Sequence, residues 1–392
     1  MKRVYLDHSA TTPTDPSVKK AMDSFWCEDF GNASAIYEEG RVAKKAISEA
    51  RLKVASILNA KADEIIFVAG GTESDNLAVL GSARAHSQKG KHIITSKIEH
   101  HAILHACDAL QKDGFEITEI GVDKDGIIDL KQLKNALRKD TVLVSVMLAN
   151  NEIGTIQPIK EIAKIIRSFR KTNNIKENFP FFHTDAVQTP SYLDLNVDKL
   201  GVDLMSLNGS KIYGPKGIGI LYKKRGVKIE PLIYGGGQEN NFRSGTENIP
   251  AIVGFAKALE LAQKTREKEL EKQTKLRDYF IENILKMPDT VLNGSQEDRL
   301  PNNINVSFRG VEGEAIVLYL DAKGISCSTG SACNSDSLEA SHVIRAIKRD
   351  SKYSNGSVRF SMGKSTTKQD IDYVLEVLPG VIKKLKGISA IR

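Results

Sequence analysis

The chain of 392 residues exceeds the size at which one hydrophobic core usually keeps growing, so we expect two domains. Its 41% hydrophobic and 27% charged residues are ordinary for a globular protein, and no apolar run reaches the roughly 18 residues of a membrane span. The net charge of +7 lies largely in helical stretches that also carry glutamates, and no basic patch with interleaved aromatic residues indicates direct nucleic-acid binding.

Strand and helix patterns alternate from about residue 64 to residue 222. The predicted strands are Glu64–Ala69, His92–Ser96, Glu116–Val122, Thr141–Leu148, Pro180–Thr184, Val202–Leu207 and Gly217–Tyr222. The helices between them begin at Thr72 and cover 101–112, Leu130–Leu137 and Ile159–Phe169. This order predicts an α/β fold with a mainly parallel, seven-stranded sheet between helices, which binds ligands at the carboxyl ends of its strands.

A second pattern follows a long, charge-rich helix over about 249–286. It consists of strand Ile304–Phe308, helix Glu314–Ala322, a loop of small residues, helix Ser341–Lys348, strand Val358–Ser361 and a helix from Lys368. We therefore expect a large domain over 15–257 and a smaller α+β domain formed by 1–14 and 258–392.

Lys211 ends an apolar run and enters a Gly-rich turn, which is a poor position for packing. Such a lysine suits a covalent bond to pyridoxal 5′-phosphate (PLP), which also needs an acid that keeps its pyridine nitrogen protonated. Asp185 ends another strand 26 positions earlier and is the candidate acid.

The segment Gly70–Asn76 joins a strand to a helix and offers two interpretations. Its glycines, the free N–H groups of the helix start and the Thr72 hydroxyl suit a phosphate. Alternatively, Thr72 is a plain helix cap and the acids that follow complement the helix dipole. Asn208 and Ser210, beside the candidate lysine, are further possible phosphate donors.

His100 stands at a strand end, where it can stack on a planar cofactor or move a proton. His101 and His105 are spaced for zinc on a helix face, but no carboxylate or cysteine completes the set at a useful spacing. We therefore expect no metal site.

Three further segments carry polar groups at unusual positions. Asn150 and Asn151 follow an apolar strand and either hydrogen-bond a ligand or form a turn. The glycine-rich run from 235 to 246, which ends at Thr246, is either a surface loop or an anion contact. Arg359 lies inside an apolar strand and needs an anionic partner, for which a substrate carboxylate is the functional candidate.

The N-terminal segment Met1–Asp7 has too few apolar residues for a signal peptide, so we expect a cytoplasmic protein with reduced thiols. Cys327 and Cys333 share a loop of small residues, and neither a second cysteine pair nor a nearby histidine makes it a metal site. A loop thiol such as Cys333 can act as a nucleophile, whereas Cys107 reads as a buried structural cysteine.

Together these segments resemble the cysteine desulfurases of the NifS/IscS group, which are fold-type I PLP enzymes of the class V aminotransferase superfamily. The resemblance covers essentially the whole chain, and the last of its motifs resembles group I rather than the SufS-like group. The motifs that carry it are Tyr5–Pro13, Gly71–Asn76, Glu99–His100, Asn150–Gly154, Asp185–Gln188, Lys211–Gly217, Arg243–Thr246 and Gly330–Cys333.

The resemblance implies a role for each candidate residue. Lys211 would bind PLP covalently, Asp185 would pair with the pyridinium nitrogen, and His100 would stack on the ring and assist proton transfer. The remaining implied cofactor contacts are Gln188 and Asn151 near the ring oxygen, and Gly71, Thr72, Asn208, Ser210 and, from the second subunit of a homodimer, Thr246 at the phosphate. Arg359, with Asn151, would bind the carboxylate of L-cysteine.

The same resemblance implies the reaction and its partners. Lys211 would remove the Cα proton of L-cysteine, and Cys333 would attack the substrate sulfur and keep it as a persulfide while L-alanine leaves. The sulfur would pass to an acceptor protein, such as an iron–sulfur scaffold or a tRNA-thiolation protein.

Two segments depart from the pattern of the group. Relatives usually have Ser-Gly-His-Lys before the turn, whereas this chain has Asn208-Gly209-Ser210-Lys211. Asn240-Asn241 stands where relatives commonly have Arg-Gly. We expect these changes to tune PLP affinity and protein contacts.

Two alternatives remain at the level of sequence. One is another PLP reaction on the same scaffold, an aminotransferase or a selenocysteine lyase, and a transaminase has no use for the Cys333 thiol. The other is a sulfur-carrier or scaffold protein without turnover, although the chain retains Lys211, Asp185 and His100.

Overall fold

A computed structural model describes residues 3–175, 179–330 and 340–388. Its strands are β1 (Val4–Tyr5), β2 (Ile65–Val68), β3 (His92–Ser96), β4 (Glu116–Ile120), β5 (Thr141–Ser145), β6 (Phe181–Asp185), β7 (Leu204–Asn208), β8 (Gly219–Lys223), β9 (Thr290–Leu292), β10 (Asn303–Phe308), β11 (Ile325–Ser326) and β12 (Ser357–Ser361).

The helices surround these strands. They are α1 (Pro16–Met22), α2 (Ser24–Cys27), α3 (Glu38–Leu58), α4 (Gly71–Asn76), α5 (Ser82–Ala85), α6 (His101–Lys112), α7 (Leu130–Ala136), α8 (Ile159–Thr172), α9 (Val197–Leu200), α10 (Ile249–Ile284), α11 (Gly313–Asp321), α12 (His342–Ala346), α13 (Ser351–Ser354) and α14 (Lys368–Ile388). A π-helical turn over Leu77–Gly81 joins α4 to α5. Across the described ranges, no helix combines the length and the apolar character needed to cross a membrane.

Seven strands form the main sheet, in the order β2-β8-β7-β6-β5-β3-β4. The pairs among β3, β4, β5, β6 and β7 are parallel, whereas β8 runs antiparallel to both β2 and β7. Parallel neighbours need crossover connections, which α6, α7, α8 and α9 provide in turn. The predicted α/β fold with a mainly parallel seven-stranded sheet is confirmed.

Both faces of this sheet are buried because successive side chains on a strand point to opposite sides. Ile94 and Val144 pack into a core with residues of α1, α3, α8 and α10. Their strand neighbours Ile93 and Leu143 pack into a separate core with α6 on the other face. Each fully buried aliphatic side chain contributes roughly 1.5–3 kcal/mol, so the strand backbones are held rigidly between the helices.

The long helix α10 contributes to two cores. Its first half packs in the core of the main sheet, whereas Phe280 packs in a further core with β10, β12, α11 and α14, which Val4 joins from β1. The division into 15–257 on one side and 1–14 with 258–392 on the other stays a prediction, and this distribution of cores supports it.

The parallel strands end along one edge of the sheet. β3, β5, β6 and β7 end there at Ser96, Ser145, Asp185 and Asn208. The loops that leave these strands carry His100, Asn151, Gln188 and Lys211, so the fold places the predicted candidates along a common edge.

Candidate active site

A cavity of about 310 Å³ opens at this edge of the sheet. The predicted site residues that line it are Gly71, Thr72, His100, Asn151, Asp185, Gln188, Asn208, Lys211 and Arg359. The other residues that line it are Ser9, Ala10, Asp75, Met147, Ala149, Val187 and Gly330.

Three predicted residues are not among those that line the cavity. Ser210 directs its carbonyl oxygen to Thr12, whose backbone N–H and hydroxyl both donate to it at 2.9 Å. Thr246 lines a separate cavity together with Arg243. Cys333 lies outside the described residues.

Lys211 ends a single turn of 3₁₀ helix that directly follows β7, and the Asn208 side chain caps this turn. Glycine is needed at 209 because a Cβ there would lie 2.7 Å from the carbonyl oxygen of Pro215. The Nζ of Lys211 donates a hydrogen bond to the carbonyl oxygen of Ala10. The amine is thus held at the cavity wall by the N-terminal segment.

Asp185 is the last residue of β6, and its Oδ1 accepts a hydrogen bond from the Val187 N–H at 2.9 Å. Burial raises the pKa of Asp185 from 3.8 to about 6, against the opposing effects of that hydrogen bond and of the Lys211 charge. A buried carboxylate whose ionised form is disfavoured in this way is well suited to a positively charged partner inside the cavity.

His100 caps the N-terminus of α6, where its Nδ1 accepts a hydrogen bond from the Ala102 N–H at 3.1 Å. Burial, followed by the charge of Lys211, lowers the pKa of His100 to about 4. The ring is therefore neutral near pH 7, and because Nδ1 is an acceptor its proton is on Nε2.

The start of α4 also lines the cavity. A Cβ on Gly71 would lie 3.0 Å from Cγ2 of Val187 and 3.5 Å from Cβ of Asn208, so glycine lets the helix start approach both strand ends. Glu73 ties this turn to the glycine-rich loop, since its Oε1 accepts a hydrogen bond from Arg243 Nε at 3.0 Å. Backbone N–H groups at such a helix start favour an anion.

Arg359 is almost fully buried on β12 and already has protein partners. Its Nη2 donates to Oδ1 of Asp7 at 2.7 Å, and its Nη1 donates to the carbonyl oxygen of Asn151 at 3.0 Å. Its Nε is buried and has no hydrogen-bond partner among the described residues. The guanidinium thus keeps unused donor capacity at the cavity.

Sequence reasoning missed the contribution of the N-terminal segment to this site. Gln188 donates through Nε2 to the carbonyl oxygen of Ser9 at 3.0 Å, and Ala10 accepts from Lys211. These contacts use backbone carbonyl oxygens, which no residue type indicates in a sequence. Only the Tyr5–Pro13 motif of the family resemblance could have indicated that Ser9 and Ala10 contribute to the site.

Asp75 was also missed as a cavity residue. It is 1% exposed, its Oδ1 has no hydrogen-bond partner in the described structure, and His183 Nε2 lies 3.8 Å from that oxygen. Burial and the neighbouring charge of Asp185 raise its pKa well above 3.8. The spacing from Gly71 could have indicated that Asp75 lines the cavity, because a residue four positions later lies on the same face of the helix.

His101 and His105 stack face to face, with ring centroids 5.0 Å apart and 8° between the planes. His342 approaches His101 with a centroid distance of 4.8 Å. Among residues 3–175, 179–330 and 340–388, no group of three or more His, Cys, Asp or Glu side chains is arranged to hold a metal ion.

The donor set at the cavity fits the PLP expected from the sequence. The lining supplies the Lys211 amine and a buried carboxylate, Asp185, whose pKa burial raises against the opposing effect of the Lys211 charge. Gly71 and Asn208 lie side by side in the lining, and the backbone N–H groups of a helix start suit a phosphate. A neutral ring, His100, completes the lining.

Comparisons with known proteins agree with this geometry. The model of the family described as Aminotransferase class-V matches residues 4–374. The chain is 55% identical over 391 residues to a protein named Cysteine desulfurase IscS from Dictyoglomus turgidum, covering 99% of this chain and 97% of that one. A solved structure called NIFS-LIKE PROTEIN superposes with a TM-score of 0.91 at 35% identity and covers 98% of this chain and 100% of its own.

A further solved structure, titled SspA in complex with cysteine, has a TM-score of 0.78 at 34% identity and covers 92% of this chain and 99% of its own. These matches extend over both cores rather than over the sheet alone. The chain belongs to the aminotransferase class-V family and, within it, to the IscS cysteine desulfurases, which are PLP-dependent enzymes.

Proposed function

We propose that this cysteine desulfurase holds PLP on Lys211, binds L-cysteine through Arg359 and transfers the substrate sulfur to Cys333. The observation that carries the proposal is the single cavity shared by Lys211, Asp185, His100 and Arg359. The persulfide on Cys333 then passes its sulfur to an acceptor protein for iron–sulfur cluster assembly or tRNA thiolation.

Bound PLP supplies an electron sink for the Cα of an attached amino acid. Asp185 would face its pyridine nitrogen, and a proton there would give the buried carboxylate a positively charged partner on the cofactor. Gln188 and Asn151 would contact the ring oxygen. The phosphate would be held by Gly71, Thr72, Asn208 and Ser210, with Thr246 from a second subunit.

Two residues are positioned to handle protons. Lys211 has its Nζ against the cavity wall and would remove the Cα proton once the substrate has displaced it. His100 is neutral and presents Nε2–H, because its Nδ1 is occupied by the helix cap. It would therefore stack on the ring and act first as a hydrogen-bond donor.

Arg359 would take the substrate carboxylate, and Asn151 lies beside it because the Asn151 carbonyl oxygen accepts from Nη1. After the contacts made by the described residues, Nε and one N–H of Nη2 remain for the ligand. Holding the carboxylate there fixes the amino acid at two points, its amine side and its acid side.

The sulfur step balances with Cys333 as nucleophile. Its thiolate attacks the substrate sulfur, the Cβ–S bond breaks, and the substrate carbon is protonated to give L-alanine while Cys333 becomes a persulfide. Cys107 and Cys327 are poor candidates, because burial raises the pKa of each thiol to about 12. This contrast supports Cys333 as the sulfur carrier.

We also propose that the enzyme is a cytoplasmic homodimer. Trp26, Phe30, Ile36 and Tyr37 expose 59%, 68%, 91% and 59% of their surface within one short segment. Exposed large apolar groups so closely spaced favour a protein interface. Thr246 lies in a separate cavity of its own chain, which is consistent with its use by a partner.

The test is product stoichiometry. The purified protein receives L-cysteine and a reductant, and sulfide and L-alanine are quantified for wild type, Lys211→Ala, Cys333→Ala and, as a matched control, Cys27→Ala at an exposed cysteine. We expect equal yields of both products from wild type and Cys27→Ala and neither product from the other two. Normal turnover by Cys333→Ala would refute its role.

A further inference from the structure

Arg359 and Asp7 form an ion pair between residues 352 positions apart in the chain. The Nη2–Oδ1 distance is 2.7 Å, and the two side chains are 3% and 18% exposed. A pair this sheltered is screened little by solvent, and it constrains the guanidinium in a way that a surface pair would not.

The main chain fixes this pairing. Ser361 follows Arg359 by two residues on β12, and its N–H donates to the Leu6 carbonyl oxygen at 2.7 Å. The Ser361 carbonyl oxygen accepts from the His8 N–H at 3.1 Å. Asp7 lies between these two bonded neighbours, so the backbone places its carboxylate against the guanidinium.

Counting donors shows what Arg359 has left for a ligand. A guanidinium has five N–H groups. Nη1 donates to the carbonyl oxygens of Asn151 at 3.0 Å and Gly330 at 3.5 Å, and Nη2 donates once to Asp7. Nε–H and one N–H of Nη2 remain without a partner among the described residues, and these two nitrogens form one edge of the plane, which matches the two oxygens of a carboxylate.

We propose that Asp7 is a positioning residue that holds the guanidinium of Arg359 with its Nε–Nη2 edge available to the substrate carboxylate. This inference rests on the proposed role of Arg359 in substrate binding. Asp7 itself does not touch the substrate in this assignment. Without it, Nη2 would lose its protein acceptor, and the guanidinium could turn about its terminal dihedral angles.

The negative charge of Asp7 and its role as a hydrogen-bond acceptor for Arg359 predict opposite effects on substrate binding, so an experiment can separate the two. As a negative charge, Asp7 repels a substrate carboxylate, so its removal would strengthen binding. As an acceptor that fixes Arg359, its removal would weaken binding. Asp7→Asn removes the charge and keeps a carbonyl oxygen at the same place, whereas Asp7→Ala removes both.

The experiment titrates the PLP-loaded protein with L-alanine and with ethylamine, which differ only by the carboxylate, and follows the absorbance of the bound cofactor. For Asp7→Ala we expect the apparent Kd of L-alanine to rise about tenfold and that of ethylamine to stay within about twofold. Asp7→Asn should restore the L-alanine value. Asp321→Asn, which breaks the nearby Arg3 pair, is the control and should match wild type.

Three outcomes would overturn the inference: an unchanged L-alanine Kd in Asp7→Ala, an equal rise for both ligands, or tighter L-alanine binding in Asp7→Ala and Asp7→Asn alike. Arg359→Gln tests the underlying function separately. If that variant binds L-alanine as wild type does, Arg359 does not bind the carboxylate, whatever the Asp7 variants show.

Discussion

Replacing Asp185 by asparagine should stabilise the PLP-free protein while weakening its hold on PLP. The substitution keeps a carbonyl oxygen for the Val187 N–H, which donates to Asp185 Oδ1 at 2.9 Å. It removes only the negative charge, whose burial outweighs the opposing effect of the Lys211 charge. The two states of the protein should therefore respond in opposite directions.

The magnitude follows from the pKa of Asp185, which burial raises from 3.8 to about 6. A raised carboxyl pKa means that the folded state binds the proton more tightly than the unfolded state, so stability is lost as the pH rises between these two values. A shift of about two units corresponds to ~3 kcal/mol above pH 6. This value is a ceiling, because water in the cavity screens the charge.

The assay is urea unfolding of PLP-free protein at pH 7.5 and pH 5, with the free energy of unfolding compared between wild type and Asp185→Asn. The variant should be more stable by up to about 3 kcal/mol at pH 7.5 and by roughly half of that at pH 5. Titrating groups that do not interact with Asp185 cancel in this difference, whereas loss of its charge also lowers the pKa of Asp75 and Glu99 and adds to the advantage of the variant. PLP retained after dialysis should fall in the same variant.

Asp203→Asn is the matched control, since Asp203 is equally buried but pairs with Arg170 at 2.8 Å. Breaking a buried pair leaves an uncompensated charge, so this variant should be less stable than wild type. The reasoning about Asp185 is refuted if Asp185→Asn is no more stable than wild type at pH 7.5, or if its advantage does not change with pH.

Three other measurements test the remaining features. Ser210→His, which restores the aromatic donor of relatives, should retain more PLP after dialysis than wild type, and equal retention would contradict the idea that this position tunes affinity. Iodoacetamide should alkylate exposed Cys27 in the folded protein but not Cys107 or Cys327, whose buried thiols have a pKa of about 12; mass spectrometry of peptides checks this. Trp26→Glu should shift sedimentation toward the monomer, because it places a charge on the exposed apolar segment.

Sequence patterns located most of the main sheet because its buried strands are continuous apolar runs bounded by polar turns. β3 was predicted at its observed bounds, and α6 began and ended as expected. Thr141–Leu148 was predicted as one strand, whereas β5 ends at Ser145. Beyond Ser145, the N–H groups of Val146 and Leu148 still donate to carbonyl oxygens of β6, although these bonds lie outside the regular ladder. The residues there stay buried beside β6, so the apolar run extends past the end of β5.

The site was harder to predict wherever it depends on long-range contacts. Lys211 and Asp185 could be paired from their strand ends, because parallel strands end at one edge of a sheet. Spacing could not predict the Asp7–Arg359 ion pair or the hydrogen bond from Lys211 to the carbonyl oxygen of Ala10. Both join the first residues of the chain to segments that lie 201 or more positions away. Arg359 was expected to need an anion, and part of that need is met within the protein.

Charge burial explains why these positions carry the residues that they do. Asp75, Glu99, Glu152 and Asp185 are all buried near the cavity, and burial raises the pKa of each, that of Glu99 to about 8. The ionised form of a buried acid without a cation opposes folding. Glu152 has a structural use, since its Oε2 accepts from the Ser341 hydroxyl at 2.5 Å. In the proposed function, the charge of Asp185 would instead face a positively charged group of the ligand, which protonated PLP provides.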